Sequence, residues 1–401
     1  MKRNVDFLIV GAGIVGLTIA RELKNRHPSS KILVLEKEGS AGLHSSGRNS
    51  GVLHSGIYYP SDSLKAKVCK QGSIEMAEYH LENKLRLDRR GKILVVTKSE
   101  DSSQLDALAD RAIRNGVPFE YLDEQALHEL EPEVRSANGR GLWIPSTSVG
   151  SPTEVMEVLV REIRIMGITL QTEASMAEVV PNHQLVRLKS GEEISYGHLV
   201  NTAGLHADTV AHKFGVGRRY TLLPFKGIYW KLNPESGIKI NHLIYPVPDL
   251  KVPFLGVHTT TTTDGSTYLG PTAVPAFGRE NYRGMVDVSP KELVRIGGLL
   301  AKQYISGQDG FRRLAWQEGR RYFKPWFLEA ARMLLPRLES EHLCPTKKVG
   351  IRAQMLDKET GQLVTDFVVE RQTSSTHILN AISPAWTSAF PFARYVCDNF
   401  I

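Results

Sequence analysis

The chain has 401 residues, 41% of them hydrophobic and 23% charged, a composition typical of a globular protein and a length that suits two domains. Its formal net charge of +7 is spread over short runs of Lys and Arg, which argues against a nucleic-acid partner and leaves open a loose contact with an anionic membrane. Only "MKRN" precedes the first strand-like run and no apolar run approaches the roughly 18 residues of a membrane span, so we expect a cytoplasmic protein or one at the cytosolic face of a membrane.

The first 36 residues predict a βαβ unit that binds a nucleotide. The apolar run "VDFLIV" (5–10) predicts a parallel strand covered on both faces, and "GAGIVG" (11–16) follows it directly. A helical pattern then runs to Pro28, and "KILVLE" (31–36) predicts a second strand that ends on Glu36. A G-x-G-x-x-G between a strand and a helix is a specific signal for a dinucleotide.

Each residue of this motif has a predicted role in binding the dinucleotide. Gly11 allows the tight turn, Gly13 lets the backbone approach a pyrophosphate, and Gly16 lets the helix pack closely on the strand. The helix N-terminus offers free N–H groups to that pyrophosphate. Glu36 accepts hydrogen bonds from ribose hydroxyls and repels a 2′-phosphate, which disfavours NADP. The other contacts predicted from this segment are Ile14, Val15 and Lys37.

The loop after the second strand distinguishes FAD from NAD. An NAD enzyme usually continues into another helix and strand, whereas "EGSAGLHSSGRNSG" (38–51) consists mainly of small polar residues. Such a loop provides a second, extended ligand surface of the kind that a flavin needs. The predicted cofactor contacts in this loop are His44, Ser45, Ser46, Gly47, Asn49, Ser50 and Gly51.

Two distant segments agree with a flavin site. "YGHLVNTAG" (196–204) predicts a strand that ends in small residues, and "ILNAISPAWTSAF" (378–390) predicts a strand, a Ser-Pro turn and a helix that begins at Ala385 or Trp386. The N-terminus of that helix is suited to stabilise the negative charge of a reduced flavin. The predicted cofactor contacts outside the first loop are Val179, Ala203, Gly204, Gly350, Pro384, Ala385, Trp386 and Thr387.

An ordered set of motifs through nearly the whole chain resembles the L-2-hydroxyglutarate oxidase/dehydrogenase family, within the wider FAD-dependent group of D-amino-acid and glycine oxidases. The motifs are "GAGIVGL", "EKE", "HSSGRNSGVLHSGIYY", "SLKAKVC", "IYPVPD", "PFLGVH", "LGPTAVPAF", "GIRAQ" and "SPAWTS". The resemblance implies non-covalent FAD and oxidation of a 2-hydroxy acid, L-2-hydroxyglutarate first, to the 2-oxo acid by hydride transfer to flavin N5. It also implies that the electrons pass to O2, a quinone or another carrier.

The resemblance implies an α/β fold in which a Rossmann-type FAD-binding domain is interleaved with a mixed-sheet α+β substrate domain. We place the FAD-binding domain at 1–85, 145–215 and 340–401, and the substrate domain at 86–144 and 216–339. Within the substrate domain, Asp264-Gly265 predicts a hairpin turn after the five-threonine strand. The periodicity from "SPKELVRIGGLLAKQY" to "FLEAARMLLPRL" predicts helices.

Oxidation of a hydroxy acid needs a carboxylate clamp and a base for the hydroxyl proton. We expect His54, directly after the polar loop, to be the base, with His44 as its rival, and a free histidine titrates near pH ~6.5. Arg352 in "GIRAQ" is the predicted clamp, because a guanidinium grips a carboxylate with two hydrogen bonds. The residues expected to bind substrate are Tyr58, Tyr59, Lys226, Tyr229 and His258.

Two alternatives to this function stay open. Family members usually have Pro-Phe-Arg-Gly where this chain has a lysine, Lys226, which keeps another hydroxy acid, an amine or an amino acid as the substrate class. A flavin-binding structural or assembly factor without turnover is the non-enzymatic alternative. Cys69, Cys344 and Cys397 are widely spaced and form no C-x-x-C pair, which argues against a disulfide framework and against a metal site.

Overall fold

The computed structural model describes residues 2–250, 254–307 and 310–401. The chain forms two units, and each is assembled from separate stretches of sequence. Unit 1 comprises Met1–Asn49, Pro152–Pro224 and Arg352–Ile401, and unit 2 comprises Ser50–Ser151 and Phe225–Ile351. Pro253 of the "PFLGVH" motif lies outside the described residues.

The elements follow one another along the chain as mixed strands and helices. The strands are β1 (Lys2–Val10), β2 (Ile32–Leu35), β3 (Val52–Leu53), β4 (Leu87–Asp88), β5 (Lys92–Val95), β6 (Glu120–Leu122), β7 (Gly141–Ile144), β8 (Ser148–Gly150), β9 (Thr169–Gln171), β10 (Met176–Val180), β11 (Leu185–Leu188), β12 (Glu193–Asn201), β13 (Tyr220–Leu222), β14 (Phe225–Leu232), β15 (Leu243–Pro246), β16 (His258–Thr261), β17 (Thr267–Gly270), β18 (Val274–Pro275), β19 (Leu343–Arg352), β20 (Met355–Asp357), β21 (Val369–Gln372) and β22 (Ser375–Ile378). The α-helices are α1 (Ile14–Arg26), α2 (Leu64–Glu82), α3 (Ser102–Asn115), α4 (Glu124–Leu130), α5 (Pro152–Ile165), α6 (Ala207–Lys213), α7 (Pro290–Ser306), α8 (Phe311–Arg320), α9 (Lys324–Arg332) and α10 (Ala389–Phe400).

Unit 1 contains an eight-stranded sheet in which β10, β11, β12, β1, β2 and β9 lie in that order, with β22 beside β12 and β21 beside β22. Strand β1 runs parallel to β12 and to β2, and all four residues of β2 are buried, as expected for a parallel strand covered on both faces. The predicted strand, glycine turn, helix and second strand are confirmed. Parallel pairing also brings the carboxyl ends of β1, β2 and β12 to one edge of the sheet.

The turn at 383–388 corrects the predicted start of the last helix. Helix α10 begins at Ala389, because the residues after Pro384 form successive turns first. The backbone N–H of Ser388 donates to the Pro384 carbonyl at 2.9 Å within those turns. Residues 385 and 386 therefore precede the helix.

The described residues of unit 2 form three sheets. One has β16, β17, β14 and β18 in order with β19 beside β14, the second has β15, β5, β7 and β6, and the third has β3, β8 and β4. Strands β16 and β17 pair antiparallel around Asp264-Gly265, which confirms the predicted hairpin. Helices α7, α8 and α9 confirm the helical periodicity predicted for the end of this unit.

The unit boundaries differ from the predicted domain boundaries. Residues 50–85 were assigned by their sequence to the FAD-binding domain, but they lie in unit 2. The reason is a pairing that sequence patterns do not reveal, since β3 forms antiparallel bridges with β8 through Val52 and Val149. Residues 145–151 and 340–351 were likewise predicted in the FAD-binding domain and lie in unit 2, whereas residues 216–224 were predicted in the substrate domain and lie in unit 1.

Strands β5 and β15 carry alternating side chains into two hydrophobic clusters of unit 2. Ile93 and Ile244 pack in one cluster, whereas Leu94 and Tyr245 pack in the other. Side chains two residues apart on a strand share a face. Lys92 therefore lies on the same face of β5 as Leu94, toward the cluster that contains Tyr245.

Candidate active site

The glycine turn after β1 leaves no room for side chains. Gly11 has a φ of +106°, and a Cβ there would lie 2.6 Å from the Thr202 carbonyl oxygen. A Cβ on Gly16 would lie 2.0 Å from the Gly11 carbonyl oxygen. Only glycine meets both constraints, so this turn has the close backbone approach that a pyrophosphate site requires.

Glu36 lies at the end of β2 as predicted, and its carboxylate is fixed by two backbone groups. Oε2 accepts a hydrogen bond from Ala12 N at 3.0 Å, and Oε1 accepts one from Glu38 N at 3.0 Å. A carboxylate has about four lone-pair positions, so each oxygen can still accept a hydroxyl. The carboxylate is therefore held in place with the acceptors that a ribose needs.

The polar loop of unit 1 folds back onto the N-terminus of α1. Ser46 Oγ accepts a hydrogen bond from Ile14 N at 2.9 Å, which satisfies one of the free N–H groups of the helix. Asn49 Nδ2 donates to the Ser46 carbonyl at 2.7 Å and holds the loop closed. A Cβ on Gly47 would lie 2.5 Å from the Gly42 carbonyl oxygen, so this loop also requires a glycine.

His44, the rival base, belongs to a small charged cluster in this loop. Its Nε2 lies 3.0 Å from Glu38 Oε1 and 3.2 Å from Lys37 Nζ. Hydrogen bonds from Lys37 and His44 lower the pKa of the Glu38 carboxyl. These contacts engage His44 with an anion and argue for an anchoring role.

The remaining predicted cofactor residues fall into three groups. Ala203, Gly204 and residues 384–387 lie in unit 1, and beside them the Ser388 hydroxyl is buried with no hydrogen-bond partner among the described residues. Val179 lies in β10 and packs against the apolar core of unit 1, so the structure gives it a packing role. The predicted contacts that lie in unit 2 are Ser50, Gly51 and Gly350.

These observations fit FAD in unit 1. The glycine turn allows a close backbone approach, and the fixed Glu36 carboxylate offers acceptors for a ribose. The buried Ser388 hydroxyl has no hydrogen-bond partner among the described residues and is available to a ligand. Ser45 and Val15 lie within the same two segments. Unit 1 therefore supplies the donors and acceptors of a dinucleotide site from its own residues.

Unit 2 holds a buried group that we call the Lys92 cluster, formed by Lys92, His54, Tyr58, Tyr245 and His258. The Lys92 ammonium lies 4.4 Å from the ring centroid of Tyr58 and 5.3 Å from that of Tyr245. The ring of Tyr245 stacks on that of His258 with centroids 3.8 Å apart. The cluster thus brings together three of the predicted residues.

Burial controls the charge of each titratable group in this cluster. Burial, with a smaller contribution from the Lys92 ammonium, lowers the pKa of His54 to about 3. Burial lowers the pKa of Lys92 to about 7 and raises that of Tyr58 well above its usual value. The expected titration of His54 near neutrality is therefore wrong, because the charged imidazolium is disfavoured in this environment.

The other predicted substrate residues are placed differently. Lys226 is buried on β14 and its ammonium donates to Asn281 Oδ1 at 2.9 Å. Tyr229, also on β14, packs edge-on against Tyr268 with ring centroids 6.4 Å apart, and the ring of Tyr59 is contacted by the Lys65 ammonium. Arg352 is the last residue of β19, is half-buried and belongs to unit 1.

Lys92 and Tyr245 are the residues that sequence reasoning missed. Lys92 precedes the apolar run "ILVV" and therefore resembles a charged residue at the exposed start of a strand. Its full burial depends on Tyr245 of β15, which pairs with β5 from a distant part of the chain. The available signal for its burial was the spacing, because Lys92 lies two residues before Leu94 and therefore on the same face of an otherwise apolar strand.

Known proteins are similar to this chain over nearly its whole length. The family model described as FAD dependent oxidoreductase matches residues 6–399. L-2-hydroxyglutarate dehydrogenase of Escherichia coli K12 is 34% identical over 396 residues, covering 98% of this chain and 92% of that protein. The human mitochondrial L-2-hydroxyglutarate dehydrogenase is 34% identical over 421 residues, covering 99% of this chain and 88% of that protein.

Solved structures show the same fold. The dithionite-reduced L-alpha-glycerophosphate oxidase of Mycoplasma pneumoniae with FAD bound has a TM-score of 0.74 at 21% identity, covering 98% of this chain and 94% of that chain. Glycine oxidase of Geobacillus kaustophilus has a TM-score of 0.72 at 16% identity, covering 99% and 94%. At these identities the likeness is one of fold.

Proposed function

Because the chain belongs to the L-2-hydroxyglutarate dehydrogenase family within the FAD dependent oxidoreductases, we propose that it oxidises L-2-hydroxyglutarate to 2-oxoglutarate. The observation that carries the proposal is the Lys92 cluster, in which a neutral imidazole and a buried ammonium occupy one apolar environment. An acidic substrate with a hydroxyl proton to release suits that pair of groups.

FAD, when bound, supplies the acceptor for the hydride. We propose that Glu36 holds its ribose, that the backbone around Gly13 and the capped N-terminus of α1 approach its pyrophosphate, and that Ser388 donates to one of its polar atoms. All of these groups belong to unit 1. We propose that the binding is non-covalent, as the resemblance implies.

We propose that His54 accepts the hydroxyl proton at a ring nitrogen. With its pKa lowered to about 3, the imidazole is uncharged at neutral pH and has a free ring lone pair for the proton, but it is a weaker base than a histidine in water. The Cys69 thiol donates to the His54 carbonyl at 3.2 Å and helps to fix the backbone there. We propose that Arg352 grips the carboxylate next to the hydroxyl with two of its guanidinium N–H groups.

Anaerobic reduction of the flavin tests the proposed function. L-2-Hydroxyglutarate should bleach the flavin absorbance, and D-2-hydroxyglutarate, which presents the opposite face of C2, is the matched control. Bleaching by a different hydroxy acid, an amine or an amino acid, without bleaching by L-2-hydroxyglutarate, would establish the first alternative. A flavin that no member of this panel reduces would establish the flavin-binding structural factor.

We further propose that helices α7–α9 attach the protein to an anionic membrane and that a quinone in that membrane accepts the electrons. Large apolar side chains on these helices are exposed, among them Val294 (75%), Ile305 (73%) and Trp316 (62%). The Arg320 guanidinium lies 5.5 Å from the ring centroid of Trp316, which combines an aromatic group and a cation as interfacial segments do. Among the described residues, no helix has both the length and the apolarity to cross a bilayer.

Vesicle sedimentation tests this attachment. The protein should sediment with vesicles that contain anionic lipid and much less with neutral ones, and the double substitution Trp316→Ser, Phe323→Ser should abolish the difference. Equal recovery of both proteins with anionic vesicles would contradict the assignment of this face. Reduction of a quinone analogue by substrate-reduced enzyme, compared with reduction of O2, tests the acceptor.

A further inference from the structure

Lys92 carries a buried charge that no described residue neutralises. Its side chain is fully buried, and its ammonium has no hydrogen-bond or salt-bridge partner among the described residues. The Tyr58 hydroxyl, whose ring lies against that ammonium, is also buried and lacks a hydrogen-bond partner among those residues. Two unpartnered donors in one apolar environment are costly, because buried polar groups normally find partners.

The groups that face Lys92 from the neighbouring elements supply no fixed negative charge. Tyr58 follows β3, Tyr245 lies on β15 and Cys69 lies on α2. His54 is uncharged at neutral pH because burial lowers its pKa to about 3. Burial raises the pKa of Tyr58, so this phenol keeps its proton. The aromatic rings offset part of the desolvation of Lys92 through cation–π contact, but a ring cannot accept the ammonium N–H bonds as a carboxylate does.

Resting on the proposed function, we propose that Lys92 and Tyr58 bind the carboxylate of L-2-hydroxyglutarate that lies farther from its hydroxyl group. L-2-Hydroxyglutarate carries two carboxylates, and the second charge of a diacid needs a cation of its own. A carboxylate accepts from both the ammonium and the phenol, which satisfies both donors of the Lys92 cluster. Lys92 is thus a specificity-determining residue that selects a diacid over a monoacid.

This assignment makes binding of the diacid depend on pH. Lys92 must be protonated to hold a carboxylate, and burial lowers its pKa to about 7. A bound anion favours the charged form and raises that pKa, so binding of a dicarboxylate is accompanied by proton uptake above neutral pH. Affinity for the diacid should fall as pH rises from 7 to 9, while affinity for a monoacid should change less.

The test compares Lys92→Met with wild type on two ligands that differ only at the distal end. L-2-Hydroxyglutarate and L-2-hydroxyvalerate share the hydroxy-acid end, and the second ends in a methyl group. Lys92→Met should lower the efficiency of flavin reduction by the diacid about 10²-fold, the value of a hydrogen bond to a charged group. It should affect the monoacid much less, because there the substitution acts only through the Lys92 contribution to the His54 pKa. Lys324→Met is the matched control, because its ammonium lies 4.9 Å from the Trp230 ring but donates to the Leu343 carbonyl.

Equal losses on both acids, or no loss on either, would overturn the assignment of the distal carboxylate. Tyr58→Phe is a second, milder variant because it keeps the ring and removes only the hydroxyl. It should weaken the binding of the diacid about tenfold. Calorimetric titration with glutarate, which has two carboxylates and no hydroxyl, measures the same contact without turnover. If wild type binds glutarate, Lys92→Met does not, and L-2-hydroxyglutarate fails to reduce the flavin, the proposed function is wrong and the dicarboxylate site stands.

Discussion

Replacing Lys92 with methionine should stabilise the substrate-free protein at neutral and acidic pH. The substitution keeps the unbranched shape of the side chain and removes a charge that is fully buried without a partner among the described residues. The pKa of Lys92 falls from its ordinary 10.5 to about 7 in the folded protein because of burial. A lowered pKa of a basic group means that the fold disfavours the proton, so protonated Lys92 opposes folding.

The structure sets the size of this effect. A pKa lowered from 10.5 to about 7 corresponds to about 5 kcal/mol at roughly 1.4 kcal/mol per unit. Cation–π contact with the two rings stabilises the ammonium by about 2 kcal/mol. The free energy of unfolding should therefore rise by about 3 kcal/mol in Lys92→Met. For a unit of 150–250 residues that is a rise in Tm of about 6–12 °C.

The stability advantage of Lys92→Met over wild type should depend on pH. Below pH 7 the lysine is protonated in both the folded and the unfolded chain, so the advantage of methionine is complete and constant. Between pH 7 and 10.5 only the unfolded chain holds the proton, so wild-type stability rises with pH and the advantage shrinks. Thermal unfolding of both proteins from pH 6 to pH 10, without substrate, measures this trend.

Lys226→Met is the control, and it should lower the stability of the protein rather than raise it. Lys226 is also buried in unit 2, but its ammonium donates to the buried Asn281 side chain at 2.9 Å. Its removal leaves an acceptor without that donor, which costs about 1–3 kcal/mol. If Lys92→Met proves less stable than wild type at pH 6, or if its advantage does not shrink toward pH 10, the ammonium has a partner and the reasoning about its burial is refuted.

Three further outcomes concern the cofactor and the chemistry. Glu36→Arg should weaken the binding of FAD by about one to two decades, because a charge-assisted hydrogen-bond acceptor is lost. An unchanged FAD dissociation constant, measured by flavin fluorescence, would exclude a role of Glu36 in binding the ribose. Arg352→Lys should lower kcat/KM while the flavin spectrum stays native, since a point charge replaces a bidentate fork; loss of FAD on desalting would instead make Arg352 a cofactor residue. His54→Asn should slow anaerobic flavin reduction about 10²–10⁴-fold, and wild type should show no His54 ionisation between pH 5 and 9 because its pKa is about 3; a near wild-type rate in this variant would place the base elsewhere.

The parts of the fold that were predicted correctly depend on local sequence. The glycine turn, the helix after it and the strand ending on Glu36 are encoded within a short stretch, and so is the hairpin at Asp264-Gly265. Turn chemistry and periodicity act between near neighbours, so a single sequence reveals them. The start of α10 was predicted too early because the residues after Pro384 make turns that a helical pattern resembles.

The features that differ from the predicted boundaries, or that the sequence did not reveal, depend on distant pairings. The assignment of residues 50–85 to unit 2 follows from the bridge between Val52 and Val149. The burial of Lys92, which the sequence pattern did not indicate, includes a contact with Tyr245, and burial is the main cause of the lowered pKa values of Lys92 and His54. Neither pairing leaves a periodic or motif-like signature, and the charge of a titratable group is decided by its surroundings rather than by its residue type.

The interleaved order of the two units has a consequence for how the chain is made. Strand β22 near the C-terminus pairs in parallel with the end of β12, and α10 packs on α1. During synthesis the N-terminal glycine turn therefore emerges long before the last strand and helix of its own unit. Until they arrive, the C-terminal end of β12 lacks the neighbour that β22 provides, and an open edge of this kind invites pairing with another chain. A ribosome-bound chain that lacks the last residues should thus need a holding chaperone, and truncation before β22 should yield aggregates rather than a smaller folded flavoprotein.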